Sequence, residues 1–209
     1  WSSWNKRVGG FVQIVSENQK WLYIALLLFV VPLLIWLVRK RSSQDELSEL
    51  LDTIGVDRLS NIVVDDDMGG EIHIEHLLLT GRGLVILDVK TIRGSIFSSD
   101  RMDEWTVISP QDRSTIQNPQ RSLYYRISAL RSLVQDVPVT GHILFLGAPE
   151  FAKGRPMDVI FPDELLDRYE KPGKIALESI VDAFFPYWER VRNACKQASD
   201  GDFWGRYSD

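Results

Sequence analysis

The sequence has little of what would stabilise a disulfide-rich secreted protein or hold a zinc ion. Its 209 residues include one cysteine, Cys195, which excludes an intramolecular disulfide and any Cys/His zinc motif. There is no basic excess either: the formal net charge is -5, so any contact with nucleic acid has to come from local clusters. Internal repeats and low-complexity tracts are also missing. These absences favour an ordinary globular domain in the cytoplasm.

Apolar residues are concentrated in one block near the start of the chain. Residues 21–38 contain no charge, and as a helix they would extend about 27 Å, close to the thickness of a bilayer's hydrocarbon core. Arg39, Lys40 and Arg41 follow at once, which places the C-terminal part in the cytoplasm by the positive-inside rule. A buried core helix is the alternative, whereas a signal peptide is disfavoured because the run is long and no small-residue cleavage site follows. The pattern predicts one transmembrane helix in contact with membrane lipid, in the inner (cytoplasmic) membrane of a bacterium.

Composition divides the rest of the chain into four further parts. Residues 1–20 form an aromatic and apolar arm, and residues 1–38 together are a candidate contact for integral membrane protein partners. Residues 39–44 are a basic and polar linker. Residues 45–170 carry the alternating patterns of a folded domain, and residues 171–209 are predicted to be a C-terminal helical extension.

Periodicity within the folded domain predicts strands and helices in mixed order. A helix over residues 45–54 ends at Gly55, and a second helix begins at Asn118-Pro119, because Asn caps helices and Pro suits their first position. A further helix over residues 175–196 is expected to break near Pro186. The predicted strands are residues 59–64, 71–79, 83–90, 94–97, 105–108, 142–147 and 159–162. This order predicts an α/β domain with a mixed sheet flanked by helices.

Two adjacent strands place acidic and basic side chains together. The short glycine-containing turn after residue 79 predicts a hairpin in which Leu79 opposes Leu84, so that Glu75 lies opposite Asp88 within a residue or two. Asp88 and Lys90 share a face because side chains alternate along a strand. Paired carboxylates repel each other, and Mg²⁺ or Mn²⁺ with oxygen ligands removes that repulsion. Taken alone, the acid-x-lysine pattern fits an exposed strand end with a surface ion pair better than a metal site.

The segment EIHIEHLLLTGRGLVILDVKTIRG, residues 71–94, resembles the core of the nuclease-related (NERD) branch of the PD-(D/E)xK nuclease superfamily. The resemblance extends over roughly residues 44–168. It rests on the joint spacing of Glu75-His76, Gly81 to Gly83, Asp88, Lys90, Gly94, Trp105, Asn118-Pro119 and the segment from Phe161 to Leu166.

The resemblance implies a restriction-endonuclease-like core that hydrolyses DNA with Mg²⁺ or Mn²⁺. Carried over residue by residue, it makes Glu75 and Asp88 the metal-binding acids, with the carbonyl of Val89 as a further metal ligand. Lys90 becomes the catalytic lysine that assists the attacking water. Gln120 is the glutamine nearest to the one that the family carries in the helix, and it would be a marginal helper.

The chain departs from the family pattern at the positions of the proposed chemistry. The family typically carries Asp where this chain has Glu75 and Glu where it has Asp88, and its helix glutamine is replaced by Ser122. Displacing a reacting group by about 1 Å can cost roughly 100-fold in rate. The alternative is therefore a catalytically weakened module that acts as a scaffold or subunit of a larger membrane protein complex. A nucleic-acid binder without cleavage is a third interpretation.

The middle helix also carries basic and aromatic residues, and two interpretations of them stay open. They could contact phosphate and stack on bases, or they could be ordinary solvated helix residues. These residues are Arg121, Tyr124, Tyr125, Arg126 and Arg131.

Overall fold

A computed structural model describes most of the chain. The residues divide into two units, 1–48 and 49–209, each compact by itself. The described residues are 27–32, 44–65, 69–171 and 173–198.

The predicted transmembrane span, residues 21–38, falls within the described residues only at 27–32. These six residues are helical and exposed. Over the part of the chain that the structure describes, no helix is both long enough and apolar enough to cross a membrane. The predicted arm over residues 1–20, and all of the predicted linker over residues 39–44 except its last residue, lie outside the described residues.

Strands and helices follow one another from residue 44 to residue 197. In chain order the described elements are α1 (residues 44–54), β1 (Asp57–Asp65), β2 (Glu71–Thr80), β3 (Gly83–Thr91), β4 (Ser95–Phe97), β5 (Glu104–Ile108), β6 (Arg113–Gln117), α2 (Pro119–Leu133), β7 (Val139–Leu146), β8 (Glu150–Phe151), β9 (Val159–Ile160), α3 (Pro162–Arg168), α4 (Lys174–Ala194) and β10 (Lys196–Gln197).

A six-stranded mixed sheet forms the centre of the domain, with strand order β10-β1-β2-β3-β7-β9. β10, β1, β2 and β3 pair antiparallel, whereas β3, β7 and β9 pair parallel. A second, four-stranded sheet has the order β6-β5-β4-β8. The predicted mixed sheet with flanking helices is confirmed. β6, β8 and β10 were not predicted from the sequence.

The β2–β3 hairpin has the predicted register, because its loop has only two residues. Leu79 pairs with Leu84 and Thr80 with Gly83, and the Thr80 hydroxyl donates to the Gly83 carbonyl at 2.8 Å. Gly83 has φ +109°, and a Cβ there would lie 2.3 Å from the Pro138 carbonyl oxygen. Only glycine accommodates both the positive φ and this close approach.

Helix α2 begins as its sequence predicts and packs closely on β7. The Asn118 side chain accepts a hydrogen bond from the Gln120 amide at 2.9 Å, and proline occupies the start of the helix. Leu123 is fully buried on the face towards the sheet. A Cβ built at Gly141 of β7 would lie 2.7 Å from Leu123 Cδ1 and 2.9 Å from Ile127 Cδ1. The missing side chain at residue 141 therefore lets the helix approach the strand.

The C-terminal helix α4 packs against strands β1 and β2 of the large sheet. It runs without interruption through Pro186, so the break expected there does not occur. Trp188 and Val191 are fully buried in the main core cluster, and Trp188 Nε1 donates to Asp57 at 2.9 Å. After the helix, β10 pairs with β1 at the edge of the large sheet.

Candidate functional site

The candidate site begins where the regular pairing of β2 with β3 ends. The registered pairs run from Thr80 and Gly83 at the turn to His76 and Leu87. One residue further, the Glu75 carboxylate accepts a hydrogen bond from the Val89 amide at 3.0 Å. A side-chain carboxylate thus takes an amide of β3 and fixes Glu75 beside the segment from residue 88 to residue 90.

Asp88 lies at the same place and forms a buried ion pair. Its Oδ2 atom is 2.5 Å from Nη1 of Arg126 on α2, and the two side chains are 4% and 11% exposed. Arg126 Nε donates to the His73 carbonyl at 2.5 Å, and Nη1 lies 3.4 Å from the Ser122 hydroxyl. The guanidinium is therefore held by contacts with two strands and with its own helix.

Three neighbouring charged groups affect the pKa of Glu75. Burial raises the pKa of its carboxyl above the usual value, and the negative charge of Asp88 also raises it. The Val89 amide, Lys90 and Arg126 lower this pKa. Lys90 is itself half-buried at the end of β3. The structure thus brings together the three side chains that the sequence analysis selected, and adds a fourth charged group to them.

His76 lies beside this group as a neutral hydrogen-bonding residue. Its Nδ1 atom is 3.1 Å from the Ser60 hydroxyl. Burial, with a smaller contribution from Arg58, lowers the pKa of His76 to about 4. Its Nε2 atom is 4.0 Å from Glu75 Oε1, and this contact is not an ion pair at neutral pH because the imidazole is uncharged.

Gln120 lies at a different hydrogen-bond cluster. Its Nε2 atom donates to Asp100 at 2.8 Å and to Asp158 at 3.2 Å, and Asp158 also accepts a hydrogen bond from the Tyr124 hydroxyl. Its Oε1 atom is buried and has no hydrogen-bond partner within the described part of the chain. Gln120 therefore joins the start of α2 to two loops, and its side-chain hydrogen bonds do not involve Glu75.

The arginines of α2 occupy three different environments. Arg121 is exposed and pairs with Asp103, and Arg131 donates to the Val139 carbonyl at 2.8 Å. Arg126 is buried and paired with Asp88, so the interpretation of it as an ordinary solvated residue is wrong. The sequence did carry a signal: Arg126 lies three residues after Leu123, on the face of the helix that periodicity assigns to the core.

The donor set around Asp88 fits a shared cation better than a closed metal cage. Among the described residues, no group of three or more His, Cys, Asp or Glu side chains is placed to hold a metal ion. One oxygen of Glu75 is engaged by the Val89 amide and one of Asp88 by Arg126. Each carboxylate keeps a second oxygen, and the Val89 carbonyl belongs to the residue that directly follows Asp88. Mg²⁺ is commonly held by one or two carboxylates together with water and substrate phosphate, and these residues are compatible with that arrangement.

The central mixed sheet brings two carboxylates and a lysine to the end of one hairpin. Residues 38–146, just over half of the chain, match the family described as nuclease-related domain, and the chain belongs to this family, NERD. It is also similar to an uncharacterized protein of Bacillus anthracis, with 27% identity over 77 residues. That match covers 37% of this chain and 36% of the relative, so the chain spans about a third of the relative's length. No solved structure matches significantly.

Proposed function

We propose that this NERD-family protein hydrolyses phosphodiester bonds of DNA with Mg²⁺ or Mn²⁺. The observation that supports this proposal is the convergence of Glu75, Asp88 and Lys90 at the end of the β2–β3 hairpin. Glu75 reaches the Val89 amide at 3.0 Å, and it interacts electrostatically with both Asp88 and Lys90. Acids that can share a cation and an adjacent ammonium group are what metal-assisted phosphodiester hydrolysis requires.

Each side chain has a distinct role in this proposal. Glu75 and Asp88 would hold the cation with the Val89 carbonyl, and the bound cation would supply Lewis acidity and a water of lowered pKa. Lys90 would orient that water or neutralise charge that develops on the phosphate. Gln120 would act only indirectly, by fixing the start of α2 through Asp100 and Asp158.

The test is DNA cleavage by the purified full chain with Mg²⁺ or Mn²⁺. Lys90→Ala is expected to reduce cleavage by about 100-fold or more, since positioned acid–base groups contribute about that much. Lys153→Ala removes an exposed lysine remote in sequence from the hairpin and serves as the matched control, with unchanged cleavage expected. Absence of cleavage in the wild-type chain, or equal cleavage by wild type and Lys90→Ala, would contradict a hydrolytic function.

A second candidate function is a scaffold in a membrane assembly. The Arg126–Asp88 ion pair favours it, because a buried guanidinium at 2.5 Å already neutralises one of the two acids. In this proposal residues 1–38 would anchor the protein in the inner membrane of a bacterium and contact lipid and integral membrane partners. The NERD domain would face the cytoplasm and provide a docking surface without catalysis.

Purification from membranes distinguishes the two functions. The scaffold predicts that the full chain co-purifies with integral membrane proteins in constant ratio, and that Lys90→Ala leaves this ratio unchanged. It also predicts no DNA cleavage with either cation. Recovery of the chain without membrane partners, together with metal-dependent cleavage, would exclude the scaffold in favour of the nuclease.

A further inference from the structure

The ion pair between Arg126 and Asp88 joins helix α2 to the strand that carries the proposed site. Arg126 Nη1 lies 2.5 Å from Asp88 Oδ2, and both side chains are largely buried. The same guanidinium donates from Nε to the His73 carbonyl at 2.5 Å. These contacts fix its position and orientation, so Arg126 is part of the charge balance of the site.

That charge balance leaves no surplus of negative charge for a divalent cation. Glu75 and Asp88 contribute two carboxylates, and Lys90 and Arg126 contribute two positive groups that interact with Glu75. A dication that approached Asp88 would meet the guanidinium already bound to it. Charges interact strongly where little solvent screens them, so the cation and the guanidinium compete for the same carboxylate.

We propose that Arg126 is a positioning residue that holds Asp88 in place of a divalent cation, so that a cation gains this carboxylate only by displacing the guanidinium. This inference rests on the proposed entry of a cation between Glu75 and Asp88. A phosphodiester is a suitable exchange partner for the released guanidinium, because arginine binds phosphate with paired hydrogen bonds. Cation and DNA would therefore bind cooperatively, each strengthening the other.

The first measurement is Mn²⁺ binding to the full chain without DNA, followed by calorimetry or electron spin resonance. Arg126→Gln removes the competing charge and is expected to tighten Mn²⁺ binding by at least about tenfold. Arg121→Gln is the matched control on the same helix, because Arg121 is exposed and pairs with Asp103 instead. Its Mn²⁺ affinity is expected to equal that of wild type.

The second measurement is thermal unfolding with and without Mn²⁺, which separates competition from a purely structural role. Arg126→Gln leaves Asp88 buried without its partner, and Mn²⁺ is expected to raise the Tm of this variant more than that of wild type. In the double variant Asp88→Asn with Arg126→Gln, both charges are gone, and Mn²⁺ is expected to leave the Tm unchanged.

Three outcomes would overturn the inference, and they differ in what they say of the nuclease. Equal Mn²⁺ affinity in wild type and Arg126→Gln removes the competition but leaves the proposed cation site intact. If the Arg126→Gln variant is unfolded and Mn²⁺ does not refold it, the proposed competition is also contradicted, because the cation then fails to replace the guanidinium. A folded Arg126→Gln chain that binds no Mn²⁺, with or without DNA, removes both the competition and the proposed metal-dependent function.

Discussion

One buried and one half-buried imidazole predict that the domain loses stability in mild acid. His142 is 7% exposed, and its Nε2 atom lies 2.8 Å from the Tyr169 hydroxyl. Burial, and to a smaller extent Arg168, lower the pKa of His142 to about 4, while Asp158 raises it slightly. The pKa of His76, whose side chain is 17% exposed, is also lowered to about 4.

Stability falls with decreasing pH because the unfolded state binds more protons than the folded state. An unfolded chain takes up a proton on each imidazole near pH 6.5, whereas the folded chain resists protonation down to about 4. Lowering the pH through this window therefore favours unfolding. At about 1.4 kcal/mol per pKa unit, each imidazole should cost about 2 kcal/mol between about pH 7 and pH 5, or about 4 kcal/mol for both. The raised pKa of Glu75 acts in the opposite direction and offsets part of this loss.

Urea unfolding followed by tryptophan fluorescence measures the effect, since Trp105 and Trp188 are fully buried. His142→Gln and His76→Gln can still form hydrogen bonds but do not titrate. Each variant should reduce the loss between about pH 7 and pH 5 by about half, and the double variant should abolish most of it. A wild-type loss below about 1 kcal/mol, or an unchanged loss in the double variant, would refute the reasoning.

Two further predictions concern stability. Arg126→Gln is expected to lower the free energy of unfolding, measured by urea titration, by about 3–5 kcal/mol. Adding Asp88→Asn should restore most of this loss, because one unpaired buried charge is more costly than none. A double variant that is no more stable than Arg126→Gln would contradict this prediction. Gly94→Ala should destabilise the domain more than Gly154→Ala, because a Cβ at residue 94 would lie 2.3 Å from the Ile108 carbonyl oxygen, whereas nothing lies within 4 Å at residue 154. Both glycines have positive φ, so the strain of an L-residue is common to both variants and equal shifts in Tm would argue against the steric cause.

The β2–β3 hairpin could be predicted because short-range chemistry determines it. A two-residue loop fixes which residues face each other, and alternation then assigns every side chain to a face of the sheet. The register of Leu79 with Leu84 followed from these rules, and so did the proximity of Glu75 to Asp88. The N-cap at Asn118 is equally local, since its side chain bonds an amide only two residues away.

The role of Arg126 could not be predicted from residue type alone. Arginine is usually exposed, and only a buried acid on a neighbouring strand makes it stable on the inner face of a helix. That acid, Asp88, lies 38 residues earlier in the chain, so the pair exists only once α2 has packed on the sheet. Helical periodicity from Leu123 was the available signal.

The surroundings of Gln120 depend on loops that periodicity does not place. Its partners Asp100 and Asp158 come from segments after β4 and before β9, which the fold brings to the start of α2. Gln120 was a candidate helper because it is the glutamine nearest to the one in the family's helix, whereas its side-chain hydrogen bonds are with Asp100 and Asp158. Strand β6 was missed for a related reason: its residues are almost all exposed and show no alternation.

Gly141 connects the packing of the domain to the electrostatics of its site. Helix α2 rests on β7 where residue 141 has no side chain, and the same helix carries the guanidinium that reaches Asp88. A methyl group at residue 141 would have to displace the side-chain ends of Leu123 and Ile127 or shift the helix. An outward shift would lengthen that reach, although the methyl group touches neither charge. Substitutions at this strand position should therefore change the affinity of a remote carboxylate for cations, and a defect measured at the site can originate in the spacing between two layers of the fold.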